Sequence, residues 1–581
     1  SYIAIYGEED RYVGLTFVID MAIMYLAVAV AFRRNEDWAL FGGILAAVSG
    51  LVLTYATVQR LGLDPLRWDT SDKVFGTLGN SNIFGRFLSL GFGASVGVAL
   101  LGAGRVGHPV RAVAALLALA ILATAALSPV RGTLLAMAAV IVVSALHLIR
   151  SRGVTRRDLG LASLIVVGTA AALAAMLVFT PAGARALSLI RDPSPDQIRV
   201  LLADSAIRAF LDRPLLGHGP DSFAVVYPRY RQADEATFGF LADDTHDWLL
   251  QAAATTGALG VLAIAGGLLI AIWSAWRRRR FGVIGPAVLL ASVAYWVHAS
   301  VTVGSVGVDW FPFLAFGAAA TMSGPPSSDP HPYRGLAVWP TALIIGVGAI
   351  AGSLTGASAF LANREAAVAA FEVNARPLLA IAAAESAVRR DPARAVYWYW
   401  AGRAHAANSA WPKAAEAFRE AATLAPYERA YWGQLARSLA KQAEIDRDPN
   451  TAASAIAAAR SGTDIDPNEP LTHVALAEVA YTLGRYDLSL QEAVTAITLY
   501  PRGGSDALAA QAAARASDLA GARSLLQGAI RVRDSAVLHL ALARVALRFG
   551  DYGSARAEAT RAAELEPGNA DAEELLRAIG R

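Results

Sequence analysis

The chain has 581 residues, of which 55% are hydrophobic and 17% charged, with a net charge of +3 and a mean hydropathy of +0.42. Average soluble domains are about a quarter charged, so this composition indicates a membrane protein, and so small and scattered a charge gives nucleic acid no footing. The absence of cysteine excludes disulfides, thiolate catalysis and Cys-type metal sites.

Apolar residues fall in long runs from Tyr12 to Leu361, whereas from Asn363 onward they are mostly Ala and Leu among Arg, Glu and Asp. That shift predicts two domains, 1–361 and 363–581. A hydrocarbon core about 30 Å thick needs roughly 20 apolar residues per helix. Ten segments meet or approach that length: Tyr12 to Phe32, Trp38 to Val58, Ile83 to Gly102, Val110 to Leu127, Thr133 to Ile149, Leu159 to Thr180, Trp248 to Trp276, Val283 to Val303, Trp310 to Met322 and Leu336 to Leu361. Backbone groups in hydrocarbon must be satisfied within the segment, so these are predicted helices.

The basic clusters Arg33-Arg34, Arg105 with Arg111, Arg150 to Arg157, and Arg277 to Arg280 occupy alternate connections, which assigns that side to the cytoplasm. The connections Gln59 to Asn82, Ser128 to Arg131, Pro181 to Asp247 and Gly304 to Asp309 then face outward, as do the first eleven residues and everything after Leu361. No signal-peptide pattern precedes the first apolar run. An outward beginning predicts an even number of further helices upstream, most simply two.

In chain order, Asp20 lies midway along the first predicted span and Arg86 just inside the third. Charge inside a membrane is costly, so both are expected to face the bundle interior, either in a structural ion pair or at a site. Arg131 occupies the very short outward turn Ser128-Pro129-Val130-Arg131-Gly132. Its guanidinium fork suits phosphate oxygens and equally suits a snorkelling interfacial anchor. A short amphipathic helix, Ile198 to Leu211, precedes Arg213-Pro214-Leu215-Leu216-Gly217-His218-Gly219, a turn shaped by its glycines and proline. The helix reads as lying on the membrane surface.

The outward loop ends in Asp243-Asp244-Thr245-His246-Asp247-Trp248. His246, between Asp244 and Asp247, reads either as a proton acceptor oriented by a neighbouring carboxylate or as an interfacial histidine beside a helix cap supplied by Asp244 or Thr245. No second histidine stands at metal-ligand spacing. His298 lies near the outer end of the eighth span.

The tail repeats. Prolines at 392, 426, 467, 501 and 567 are separated by 34, 41, 34 and 66 residues, and 34 is the tetratricopeptide period. Trp398, Gly402, Ala414, Phe418, Ala421 and Pro426 fit one such unit. Small residues let two helices pack closely, and each pair leaves a face for its neighbour to cover.

Read together, Gly76 to Phe84, the Ser-Pro-Val-Arg-Gly turn, Arg213 to Gly219 with Phe223 and Tyr227, His246 to Gln251, and Thr256 to Gly260 resemble the O-antigen ligase and polymerase superfamily of bacterial membrane proteins, in the branch carrying C-terminal tetratricopeptide repeats. The resemblance covers about Tyr6 to Met322. It implies an all-α fold: a polytopic transmembrane bundle with a large extracytoplasmic loop and a C-terminal α-solenoid, in the bacterial cytoplasmic membrane. It also implies an inverting, metal-independent glycosyltransferase without cofactor, which moves a glycan from an undecaprenyl-diphosphate carrier to a glycolipid, polysaccharide or protein hydroxyl. Carried over by position, His246 is the loop histidine that activates the acceptor, and Arg131 and Arg86, with Arg213 beside them, bind the donor diphosphate. Asp244, Asp247, Gly217 and Gly219 support them. Asp247 stands where the family often has Asn. The repeats would hold a protein partner or the glycan.

Two readings from other classes compete. A lipid-linked glycan transporter predicts inverted repeats and charges along a central path, which the sequence does not display. A membrane-anchored repeat scaffold leaves the loop and its arginines without a purpose.

Overall fold

The computed structural model describes residues 13–32, 35–64, 74–101, 106–127, 130–150, 194–231, 242–277, 284–305, 307–323 and 357–580, with isolated positions at 5, 160, 163, 167 and 347. Every regular element among them is helical. Two compact units are present: Ser1–Tyr230 with Leu241–Asp329, and Arg231–Phe240 with Pro330–Arg581.

The first unit contains α1 (Leu15–Ala31), α2 (Asn35–Arg60), α3 (Ser81–Val96), α4 (His108–Leu127), α5 (Arg131–Arg150), α6 (Ser194–Asp212), α7 (Phe223–Tyr230), α8 (Trp248–Arg277), α9 (Ile284–Ala299) and α10 (Phe311–Ser323). Five helices among the described residues are long and apolar enough to cross a membrane: Glu36–Arg60, Ser81–Leu101, His108–Ala125, Arg131–Leu148 and Trp248–Trp273. Leu15–Ala31, Gly285–Ala299 and Phe311–Thr321 are shorter apolar helices. The predicted spans Leu159 to Thr180 and Leu336 to Leu361 lie almost wholly outside the described residues. The eighth predicted span, drawn to Val303, ends as a helix at Ala299, because the carbonyls of Thr302 and Val303 turn aside to meet Arg86.

Small residues set the packing of this unit. Along α3 the series Gly85, Ser89, Gly93, Gly97 recurs every fourth position and forms one ridge. A Cβ on Gly93 would stand 2.5 Å from the carbonyl oxygen of Leu290, and one on Gly97 2.5 Å from that of Pro286, so α3 lies backbone to backbone on α9. This is how helices associate where lipid removes the hydrophobic drive. Gly85 leaves room instead for the Thr133 side chain at the start of α5 and for the His298 ring of α9. The ridge thereby brings the ends of α3, α5 and α9 together.

The second unit is a stack of helix pairs. After helical residues 357–372 come α11 (Pro377–Arg390), α12 (Ala395–Ala407), α13 (Trp411–Leu424), α14 (Arg429–Asp446), α15 (Pro449–Ile465), α16 (Pro470–Thr482), α17 (Tyr486–Leu499), α18 (Asp506–Arg515), α19 (Leu519–Val532), α20 (Ala536–Arg548), α21 (Tyr552–Leu565) and α22 (Ala570–Ile579). The 41-residue proline interval arises because α14 and α15 have 18 and 17 residues where α12 and α13 have 13 and 14. The 66-residue interval holds the short pair α18 and α19, followed by Asp534 where the other turns have proline.

The tetratricopeptide pattern is visible in its contacts. A Cβ on Gly402 would meet the Phe418 ring at 2.7 Å, so only glycine lets α13 lean on α12. Trp398 and Trp432 each donate Nε1 to the carbonyl of the proline six residues earlier, at 2.9 Å. His473 takes the same place one repeat later, donating Nε2 to Pro467 at 3.0 Å. Arg231 is fully buried in this unit, with Nη1 at 3.0 Å from Asp466 and 2.8 Å from Glu469.

Candidate functional site

The site begins with a turn. Asp247 accepts the N–H groups of Leu249 and Leu250 at 2.8 and 3.1 Å, so Asp247 is the N-cap of α8, a role expected of Asp244 or Thr245. Displaced from the cap, Asp244 accepts the backbone N–H of His246 at 2.6 Å. This Asx turn holds His246 at φ 60, a left-handed conformation that costs a non-glycine residue on the order of 1–3 kcal/mol.

The turn also fixes the imidazole. Nδ1 of His246 lies 3.1 Å from the carbonyl oxygen of Asp244. A carbonyl can only accept, so Nδ1 donates and the neutral ring carries its lone pair on Nε2. Nε2 makes no hydrogen bond to a described residue. A half-buried imidazole in that tautomer can accept a proton from a hydroxyl placed against it.

Asp244 links this turn to the loop between α9 and α10. Its second oxygen accepts the N–H of Gly304 at 3.3 Å. The same loop receives Arg86, which is 2% exposed. Its Nη1 lies 2.7 Å from Asp309, and its Nη2 donates to Thr302 Oγ1 and to the Val303 carbonyl, both at 2.7 Å. Tyr295 donates its hydroxyl to Asp309 at 2.7 Å and offers its ring to the guanidinium, 5.3 Å from the centroid. Arg86 therefore has its charge matched within the bundle, while its Nε is buried without a hydrogen-bond partner among the described residues. Asp20, by contrast, lies exposed on α1 and makes no ion pair with a described residue.

Arg131 opens α5, half-buried, and makes no hydrogen bond or ion pair to a described residue. Its neighbour Gly132 packs on Val301, and Thr133 donates to Nε2 of His298 at 3.3 Å. His298 is in turn bound to Thr302 at 2.9 Å, so this histidine is used up inside the bundle. A cation on the first residue of a helix sits at the positive end of the peptide dipoles. Guanidinium and helix N-terminus together suit an anion.

Arg213 is exposed at the end of α6. The turn that follows is bound to α8, which breaks at Gly257 (φ 67, ψ −168). The break frees backbone groups, and the turn satisfies them. His218 and Gly219 donate to the carbonyls of Ala254 and Thr255 at 3.2 and 2.8 Å, and Ala258 donates to that of Pro214 at 2.8 Å. Gly217 and Gly257, both at positive φ, face one another so closely that a Cβ on either would stand 2.4 to 2.5 Å from the other segment's backbone. The N–H groups of Gly217, His218 and Gly219 are spent on protein carbonyls; Gly217 and Gly219 shape the turn. Below it, Tyr230 donates to Asp212 at 2.7 Å, and burial together with that bond pushes its hydroxyl up to about 12.

Asp244 and Arg86 thus bond to one loop, 301–309, at one end of the first unit; His246 is tied to it through Asp244, and Arg131 through Gly132, which packs on Val301. Reasoning from sequence found these four and missed Asp309, Tyr295 and Thr302. The signal for Asp309 was present: it is the single charged residue between Phe281 and Ser323, as Arg86 is in α3, and two lone opposite charges in apolar helices call for each other. Among the described residues, no three His, Asp or Glu side chains group as a metal site.

Long apolar helices carrying this loop-and-turn site, beside an array of helix pairs, define an all-α membrane protein with tetratricopeptide-type repeats. Residues 114–265 match the family described as O-antigen ligase. The matched stretch contains Arg131, Arg213, Asp244, His246 and Asp247; Arg86 lies before it. No curated protein matches the chain. Solved structures similar to it include a thermophilic TPR protein of Thermus thermophilus (16% identity, 39% of this chain and 98% of that one, TM-score 0.22) and PilW, a type IV pilus biogenesis factor (16%, 37% and 98%, 0.27). A third is pilF of Pseudomonas aeruginosa (13%, 38% and 99%, 0.27). At such scores the repeat assignment rests on the helix pairs and their period instead.

Proposed function

We propose that the chain transfers a glycan from an undecaprenyl-diphosphate carrier to an acceptor hydroxyl at the outer face of the cytoplasmic membrane. Residues 1–361 form the transferase domain, and 363–581 form an extracytoplasmic repeat domain that holds a partner protein or the glycan. The observation that carries this reading is the His246 turn: inside the segment matching the O-antigen ligase family, an imidazole is bonded at Nδ1 to a carbonyl, with Nε2 left to accept a proton.

The acceptor oxygen attacks the anomeric carbon from the face opposite the diphosphate, and its proton passes to Nε2 of His246. The bond between that carbon and the diphosphate oxygen breaks with its electron pair leaving on the diphosphate, so the configuration inverts. A positioned base commonly contributes about 10²- to 10⁴-fold. Matching the charge of the departing diphosphate is the larger contribution, and Arg131 supplies it, aided by Arg213 at the surface. Arg86, already matched by Asp309, holds the loop that Asp244 binds and that Gly132, next to Arg131, packs against. Asp247 caps α8 and so fixes where the His246 turn begins.

Transfer from a polyprenyl-diphosphate donor by purified protein tests this reading. His246→Ala and Arg131→Ala should each lower turnover by about 10²-fold or more. Turnover unchanged in both variants overturns the assignment of the site. Removing residues 363–581 separates a transferase, which retains turnover, from a scaffold, which loses all function.

A further inference from the structure

Three leucines around the end of α6 have no cover among the described residues: Leu211 is 67% exposed, Leu215 67% and Leu216 73%. They flank Arg213 and follow Arg208, which is paired on its own helix with Asp204 at 2.7 Å. Their height relative to the bundle follows from α8. A Cβ on Gly267 would touch the Phe316 ring, and Ala271 packs with Val288 and Leu289. Phe316 lies five residues, about 7.5 Å, inside the end of α10 at Phe311. Gly257 lies ten residues, about 15 Å, before Gly267. The break in α8 therefore stands about 7 Å beyond the end of α10.

From that break the first turns of α8 fold back, so that Trp248 meets Trp296 near the end of α9, with ring centroids 4.3 Å apart. The turn carrying Leu215 and Leu216 is bound at the break itself. Immediately past it, on the membrane-crossing part of α8, Leu259 and Leu262 are exposed at 56% and 67%. The bare leucines of the turn thus continue the bare leucines of the span, and a basic side chain borders them. This is the pattern of an element that lies in the interface with its apolar side dipped into the acyl region and its arginine among phosphates. A partner protein would have to cover part of a face that the span presents to lipid.

We propose that Leu211, Leu215 and Leu216 insert into the lipid leaflet at the site end of the bundle, making α6 and the turn 213–219 a membrane anchor that holds Arg213 at the depth of the phosphates. The anchor needs no assumption about the reaction. It ties the turn that braces α8 to the surface from which a lipid-borne substrate would arrive.

The chain has no cysteine, so Leu211→Cys, Leu215→Cys and Leu216→Cys can each carry a single nitroxide in the full chain, reconstituted into vesicles of zwitterionic and anionic phospholipid. Leu262→Cys serves as the lipid reference, and Ile445→Cys, exposed on the repeat array, as the water reference. Collision with dissolved oxygen should exceed collision with a water-soluble nickel chelate at all three sites, with an oxygen-to-nickel ratio nearer that of residue 262 than that of 445. Nickel access matching residue 445 overturns the proposal, and so does shielding from both reagents, which would mean cover by protein. Because the three side chains are exposed, the variants should keep the wild-type melting profile. Agreement between at least two sites guards against one local failure.

Discussion

Asp244 grips His246 twice, accepting its backbone N–H at 2.6 Å through a carboxylate oxygen and its Nδ1 at 3.1 Å through the main-chain carbonyl. The first bond holds the left-handed backbone and the second selects the tautomer. Asp244→Ala removes the first and frees the turn, and a displacement of about 1 Å in a catalytic group can cost about 10²-fold in rate. Asp244→Ala is expected to lower kcat by about that factor with little change in donor KM, whereas Asp244→Asn, which keeps an accepting oxygen, restores most of it. Steady-state transfer kinetics for the two variants check this. Equal loss in both would assign Asp244 a role through its charge or through the second oxygen that accepts from Gly304.

His246 itself permits a finer test. Asn tolerates positive φ where most residues do not, so His246→Asn should preserve the turn while removing the base. We expect a folded protein with turnover down by about 10²- to 10⁴-fold. A folded variant that keeps its turnover would place the base elsewhere.

Arg86 and Asp309 form a pair that is far more costly to break than to delete. Removing one partner of a buried ion pair typically destabilises by about 3–5 kcal/mol, because the other charge is left stranded. Arg86→Met and Asp309→Leu should each lower the melting temperature in detergent, and the double variant should lose clearly less than the sum of the two. A double-mutant cycle measures the coupling. Additive losses would mean that the loop 301–309 is held by its other contacts.

What the sequence made legible was whatever depends on local pattern. Apolar run length placed α1 to α5 and α8 to α10, and the 34-residue period placed the helix pairs, because both report one residue's environment at a time. The Asp244–His246 turn was half legible: the residues stood out, but Asp247 took the cap and Asp244 the turn, a choice decided by where α8 starts. Arg86–Asp309 was legible only as two lone opposite charges; their contact joins positions 223 residues apart through the α3 glycine ridge, which no local pattern reports. Nor does any report the contact of Gly217 with Gly257, which depends on two left-handed residues meeting across separate segments.

That glycine contact predicts an asymmetric substitution pattern. A Cβ at Gly217 or Gly257 meets backbone at 2.4 to 2.5 Å, and neither segment can retreat without losing the bonds that satisfy the broken helix. Each residue is also at positive φ, where a side chain adds strain of about 1–3 kcal/mol. Gly217→Ala and Gly257→Ala should therefore release the turn and speed chymotryptic cleavage at Leu215 and Leu216, both exposed in it. Gly266→Ala, in the same helix with nothing within 4 Å, should be neutral or stabilising by about 0.5–1 kcal/mol. Limited proteolysis followed by mass spectrometry separates the two classes.

The repeat unit carries a pH dependence through His473. Burial disfavours its charged form, but the carboxylate of Glu492 at 2.7 Å and the carbonyl of Pro467 at 3.0 Å outweigh that, and its pKa is raised above the ordinary histidine value. The folded state thus binds this proton more tightly than the unfolded chain. The stabilisation is fully present below the ordinary histidine value and is lost as pH rises through the raised one. A hydrogen bond to a charged group contributes about 1.5–3 kcal/mol, which bounds the effect. Thermal unfolding of wild type and Glu492→Gln, followed through the repeat transition, should differ at about pH 5.5 and converge by about pH 9. A difference that stays constant across that range would show that the bond between His473 and Glu492 does not depend on the histidine's charge.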